Sequence, residues 1–194
     1  MKRILLVCTG NTCRSPMAEA MLRKMADRAG KKLEVRSAGV STIGGLPTSP
    51  HATETLKRRG IPLPGPSSTL SESETEWANL ILTMTSGHKR AIVQRHPEAM
   101  NKTFTLKEYA LLGEAVMDDL AEAERLYSEW QVRQALGQQL SEKDRSRLME
   151  LQSKLPDFDI ADPFGGPLYV YEQCADEIEE ALRAILGKMD ANDD

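Results

Sequence analysis

Ile4-Leu5-Leu6-Val7 is apolar at every position, with no alternation of period two. A strand that reads this way is buried on both faces, the condition of an inner strand in a parallel sheet covered by helices. The run, Lys2–Cys8, gives way to Thr9-Gly10-Asn11-Thr12. Ser15-Pro16 and a helical pattern over Pro16–Ala29 follow, with Met17, Ala20, Met21 and Met25 on one face and a stop at Gly30. The rhythm then repeats. Strands are expected at Leu33–Ala38, Leu80–Met84 and Thr103–Leu106. Helices are expected at Pro50–Arg59, Glu72–Ala78, from a Ser86 cap to about Arg95, and at Tyr169–Lys188. Alternation of this kind predicts an α/β fold, a parallel sheet with helices on both faces. Ligands of such sheets bind beyond the carboxyl ends of the strands, which is where Cys8 falls.

Leu111 to about Asp157 breaks the rhythm. Val116, Leu120, Ala123, Tyr127 and Trp130 recur at helical spacing. Gly137 marks a break, and Ser141-Glu142-Lys143-Asp144 resembles a cap before Leu148, Leu151 and Leu155. The segment reads as a helical hairpin inserted into one domain, 1–189, with a flexible tail at 190–194. Packing on the core, packing of the two helices on each other, and a docking arm or lid all stay open.

At 194 residues and 40% hydrophobic content the chain can build one sizeable core. A net charge of -4 argues against nucleic acid as a partner, and Lys57-Arg58-Arg59 reads as a solvated helix face. The apolar run after Lys2 and Arg3 is too short for a signal peptide, and no stretch reaches membrane-spanning length. A cytoplasmic protein with no membrane partner is expected. Cys8, Cys13 and Cys174 are too few for a disulfide framework, and no cysteine–histidine cluster offers a metal site. His51, His88 and His96 read as surface or helix-end residues. Nothing fixes an oligomeric state, and a monomer is favoured.

The loop after the first strand carries the chemistry. A thiolate, not a thiol, is the nucleophile, and a helix N-terminus favours the ionised form. The Ser15 hydroxyl is near enough in sequence to donate to the Cys8 sulfur. A loop curling from strand to helix directs its amides inward as a nest for a tetrahedral anion. Gly10 permits close backbone approach, Asn11 tolerates the left-handed conformation, and Arg14 offers a planar fork for two anion oxygens. The five-residue spacer lets sulfur and guanidinium face the same anion. Phosphoryl transfer also needs an acid and later a base, and Asp162 in "DIADPFGG" is the chosen carboxylate, with Asp157 and Asp159 competing on position alone.

With "VCTGNTCRSPMAEAML" and "DPFGG" in view, the chain resembles the low-molecular-weight protein-tyrosine phosphatase family. "VRSAGV", "HATETLKRRGI" and "LILTMTSGHK" support the resemblance, which spans the chain except the hairpin. It implies a three-layer sandwich with a four-stranded parallel sheet in the order 2-1-3-4. It also implies a phosphocysteine intermediate on Cys8 and a phosphate-binding loop of Thr9, Gly10, Asn11, Thr12, Cys13, Arg14 and Ser15. Ser15 would support the thiolate and Asp162 would act as acid, then base. Phosphorylated proteins are the implied partners, and no cofactor or metal is required.

Thr12, where tyrosine-directed members usually carry an aliphatic residue, makes the chain most similar to the bacterial protein arginine phosphatases. A threonine there narrows and polarises the rim, Asp162 can pair with guanidinium nitrogens, and Phe164 can form an apolar wall. Tyrosine specificity is the alternative. Tyrosine-directed relatives often carry a histidine behind the loop, in the stretch aligning with Leu63–Ser68. Here Gly65 stands near that place, and Asn11, Ser15 and Ser37 are left to brace the loop. The resemblance also implies a reversible Cys8–Cys13 disulfide, while Cys174 reads as packing. An arsenate reductase is disfavoured because Leu80–His96 holds no further cysteine, and a turnover-free phospho-residue binding module because Cys8 and Asp162 are both present.

Overall fold

Leu5 and Val7 are fully buried on one side of the sheet with Ile81, Ile92 and Ala99. Ile4 and Leu6 are fully buried on the other, with Met17, Met21, Leu22, Ile178 and Leu182. Each such side chain stabilises the fold by about 1.5–3 kcal/mol, so the strand is held from both faces. This is the physical meaning of the uninterrupted apolar run. The structure, a computed structural model, describes residues 2–111 and 114–191.

The strands are β1 (Lys2–Cys8), β2 (Leu33–Gly39), β3 (Leu80–Thr83) and β4 (Thr103–Thr105), all parallel, in the order β2-β1-β3-β4. This is the sheet the resemblance implied. The helices are α1 (Arg14–Arg28), α2 (Pro50–Arg58), α3 (Glu72–Trp77), α4 (Ser86–Arg95), α5 (Leu106–Leu111), α6 (Glu114–Ala135), α7 (Glu142–Lys154) and α8 (Leu168–Ala191). Local readings change at several points. Leu106 opens α5 instead of ending the fourth strand. The cap of α4 is Thr85, whose hydroxyl accepts from the His88 N–H, and Ser86 is the first helical residue. Pro97 closes α4 and at once opens a 3-10 turn, Pro97–Lys102.

Lys57-Arg58-Arg59 is not merely a solvated face. Arg58 pairs with Glu54 and Glu172, and Arg59 with Asp176 and Glu179, tying α2 to α8.

Two compact units are distinct: Met1–Leu111 with Phe158–Asp194, and Leu112–Asp157. Within the second, α6 and α7 pack on each other through Ala123, Leu126, Leu148 and Leu151. Ser141 caps α7 by accepting from the Asp144 N–H, as its sequence predicts. Leu126, the most buried of the α6 side chains in this cluster, lies beside the expected stripe rather than on it. Helix α8 continues through Ala191, and residues 192–194 of the expected tail lie outside the described residues. Among the described residues no helix is long and apolar enough to cross a membrane.

Candidate active site

Cys8 ends β1, in register with Gly39 at the end of β2. A Cβ at Gly39 would come within 2.6 Å of the Thr9 carbonyl oxygen, so only glycine lets β2 pass this close to the loop. Gly10, by contrast, has room: a Cβ there would meet only Thr12 Oγ1, at 3.6 Å. Among the described residues nothing else crowds that position. Asn11 does adopt the expected left-handed conformation, with φ of 53°.

That conformation has a use. The Asn11 N–H donates to Cys8 Sγ at 3.3 Å, while the side-chain amide donates to both Ser15 Oγ and Ser37 Oγ at 2.8 Å. Asn11 Oδ1 accepts from the Ser68 N–H at 2.8 Å, so the stretch lacking a histidine braces the loop through its backbone. Ser37 in turn donates to the buried Glu19 carboxylate. The buried Ser15 oxygen, which accepts from the Asn11 side chain, lies 3.0 Å from Cys8 Sγ. The Cys8 sulfur thus lies within reach of the Asn11 N–H and the Ser15 hydroxyl, while Asn11 and Ser37 link the loop onward to Glu19.

Arg14 is buried at the start of α1. Its guanidinium donates to the Ile160 carbonyl at 2.9 Å and pairs with Asp162 Oδ2 at 3.1 Å. Asp162 is half exposed, and its other oxygen accepts from the Phe164 N–H at 3.2 Å. Gly165, at φ of 77°, lets the turn close through a bond from the Gly166 N–H to the Pro163 carbonyl. Phe164 stands 77% exposed beside this turn. Of the competing acids, Asp159 accepts from the Ser86 N–H at 2.7 Å, at the start of α4. Asp157 belongs to the second unit.

Thr12 is half-buried, and its carbonyl accepts from the Ser49 N–H. Cys13 precedes α1, with its thiol donating to Ser49 Oγ at 3.3 Å and lying 3.5 Å from the Tyr171 hydroxyl. Burial pushes Tyr171 up to about 12, and Cys174 likewise. All three cysteines are free thiols.

Glu19, Ser49, Tyr171 and His88 escaped the sequence reading. Glu19 leaves one signal, an acid among Met17, Ala18, Ala20 and Met21 on the buried face of α1. His88 is neither a surface residue nor merely a helix end. It is buried, with Nε2 2.8 Å from Thr9 Oγ1 and Nδ1 3.0 Å from Thr85 Oγ1. Its signal was topological, since α4 starts beside the carboxyl end of β3, the neighbour of β1.

The profile of the low molecular weight phosphotyrosine protein phosphatases matches residues 3–125. The chain belongs to this family. A protein-arginine-phosphatase of Geobacillus stearothermophilus is 38% identical over 187 residues, covering 96% of this chain and 95% of that protein. The solved structure of the YwlE arginine phosphatase from the same organism superposes with a TM-score of 0.72, covering 99% of this chain and 95% of that one. A further YwlE structure, of a mutant with a phosphorylated active site serine, gives 0.71 at 34% identity, covering 97% and 95%. For this low molecular weight phosphatase, likeness to the YwlE structures extends beyond the profile through the Asp162 turn and α8.

Proposed function

We propose that the chain removes the phosphoryl group from phosphoarginine residues of proteins, through a phosphocysteine intermediate on Cys8. The observation that carries the chemistry is one loop holding a sulfur that accepts from the Asn11 N–H and lies 3.0 Å from the Ser15 hydroxyl, with Arg14 paired to Asp162 at the same end of the sheet. The substrate phosphoryl group lies in the loop, its oxygens taken by amides and by the Arg14 fork. Cys8 thiolate attacks phosphorus, the S–P bond forms, and the P–N bond breaks. The leaving guanidine nitrogen takes its proton from Asp162. Asp162, now a carboxylate, takes a proton from water as that oxygen attacks phosphorus. The S–P bond breaks, inorganic phosphate leaves, and the thiolate is restored.

Arginine specificity is supported by Thr12 at the rim, by the Asp162 carboxyl group, whose acceptor oxygen can partner a guanidinium N–H, and by similarity to named arginine phosphatases along nearly the whole chain. The family description favours phosphotyrosine as the second reading. Purified protein turned over on phosphoarginine-containing and phosphotyrosine-containing protein separates them. Thr12→Ile should lower the ratio of phosphoarginine to phosphotyrosine kcat/KM by at least about tenfold, the scale on which a small change of pocket volume discriminates. An unchanged ratio removes Thr12 as the determinant. Cytoplasmic action as a monomer and oxidative closure of a Cys8–Cys13 disulfide belong to the same proposal, the last supported by two thiols on one loop.

A further inference from the structure

His88 reaches the site from α4 and touches none of the catalytic groups directly. Its imidazole is clasped between two hydroxyls, Thr85 at Nδ1 and Thr9 at Nε2. Thr85 also caps the helix by accepting from the His88 N–H, so ring and backbone are tied to one residue. Thr9 directly follows the nucleophile and is exposed. The ring is thus a buried strut whose far end holds one hydroxyl at the lip of the loop.

Burial, followed by the nearby Arg14 charge, holds His88 down to about 4, so the imidazole is neutral at physiological pH. A neutral ring carries one N–H. If Nε2 bears it, Thr9 Oγ1 accepts from the ring and keeps one lone pair free. If Nδ1 bears it, Thr9 donates to Nε2 and keeps both. Either tautomer leaves Thr9 Oγ1 able to accept from outside, and neither places a cation beside it. An acceptor on an uncharged support suits a ligand rich in N–H donors, and the substituted guanidinium of phosphoarginine is one. An aryl phosphate ester has no such donor.

We propose that Thr9 accepts a hydrogen bond from the substrate guanidinium and that His88 is the positioning residue which fixes its hydroxyl for that contact. This deepens the phosphoarginine reading and rests on it. The alternative is a brace that merely ties the loop to the start of α4.

The test measures kcat/KM on a phosphoarginine peptide and on p-nitrophenyl phosphate for wild type, Thr9→Val, His88→Leu, His88→Gln and the Thr9→Val/His88→Leu double variant. The ratio of the two substrates should fall about tenfold in each of the first two variants, chiefly through KM, as loss of one hydrogen bond would give. The double variant should fall no further than Thr9→Val alone, because His88 acts through Thr9. Gln, which can still bond Thr9, should recover part of the ratio. Thr9→Val changes an exposed side chain, so the test stands even if His88→Leu does not fold. A ratio unchanged in Thr9→Val, or both substrates falling together with the melting temperature, overturns the proposal while leaving the phosphoarginine reading intact. Wild type with no phosphoarginine turnover overturns both.

Discussion

Cys8→Ser loses turnover by more than about 10⁴-fold, the scale on which removal of a nucleophile is felt, while the fold and anion binding persist. The physical reason lies in what surrounds the sulfur. Cys8 is buried at the end of β1, in register with Gly39, and an oxygen in its place keeps both hydrogen-bond partners, the Asn11 N–H and the Ser15 hydroxyl. Serine leaves the strand register intact and removes only the sulfur's share of the core cluster in which Cys8 lies. What changes is the nucleophile, because an alcohol at neutral pH is far less ionised than a thiol. Arg14 and the loop amides remain, so inorganic phosphate should still raise the melting temperature of the variant. The YwlE mutant with a phosphorylated active site serine illustrates that an active-site serine in a related enzyme can carry a phosphoryl group. Turnover within about a hundredfold of wild type would deny Cys8 the role of nucleophile.

Arg14→Lys is expected to lower kcat/KM by about 10²–10³-fold, the usual loss when one preorganised oxyanion donor is removed. An ammonium keeps the charge but not the fork. In the structure the guanidinium bonds the Ile160 carbonyl and Asp162 at once. Lysine cannot span both with fixed geometry, and either the buried Ile160 carbonyl or the half-exposed Asp162 loses its donor. The damage therefore has two parts: weaker grip on the phosphoryl oxygens, and a loosened segment carrying Asp162. Steady-state kinetics with a phosphate titration followed by thermal melting separates them. A variant within a few-fold of wild type in both would mean that the bidentate contact is not used.

The parts of this site that a linear reading captured are those whose physics is local. The unbroken run Ile4–Val7 demanded burial on both faces, and Asn11 and Ser15-Pro16 marked the turn into α1. The parts it missed arrive from elsewhere in the fold. His88 lies 79 residues from Thr9, and Tyr171 lies 158 from Cys13, so no local pattern announces either contact. The role of Glu19 depends on Ser37, which reaches it from β2 and donates to its carboxylate. The 3-10 turn after α4 was hidden for another reason, since Pro97 satisfies both the end of one helix and the start of the next turn. The need for glycine at Gly39 appears only when β2 is laid beside the loop.

The central claim is a covalent bond between Cys8 sulfur and phosphorus, and Asp162→Asn exposes it. With p-nitrophenyl phosphate, whose leaving group needs little help from an acid, the first step survives, while hydrolysis slows by about 10²–10⁴-fold for want of a base. Acid quench on the millisecond scale, followed by peptide mapping, should then find the mass of one phosphoryl group on the peptide bearing Cys8, in step with a burst of nitrophenolate. A burst whose phosphoryl group lies on any other residue, or on none, would contradict the account.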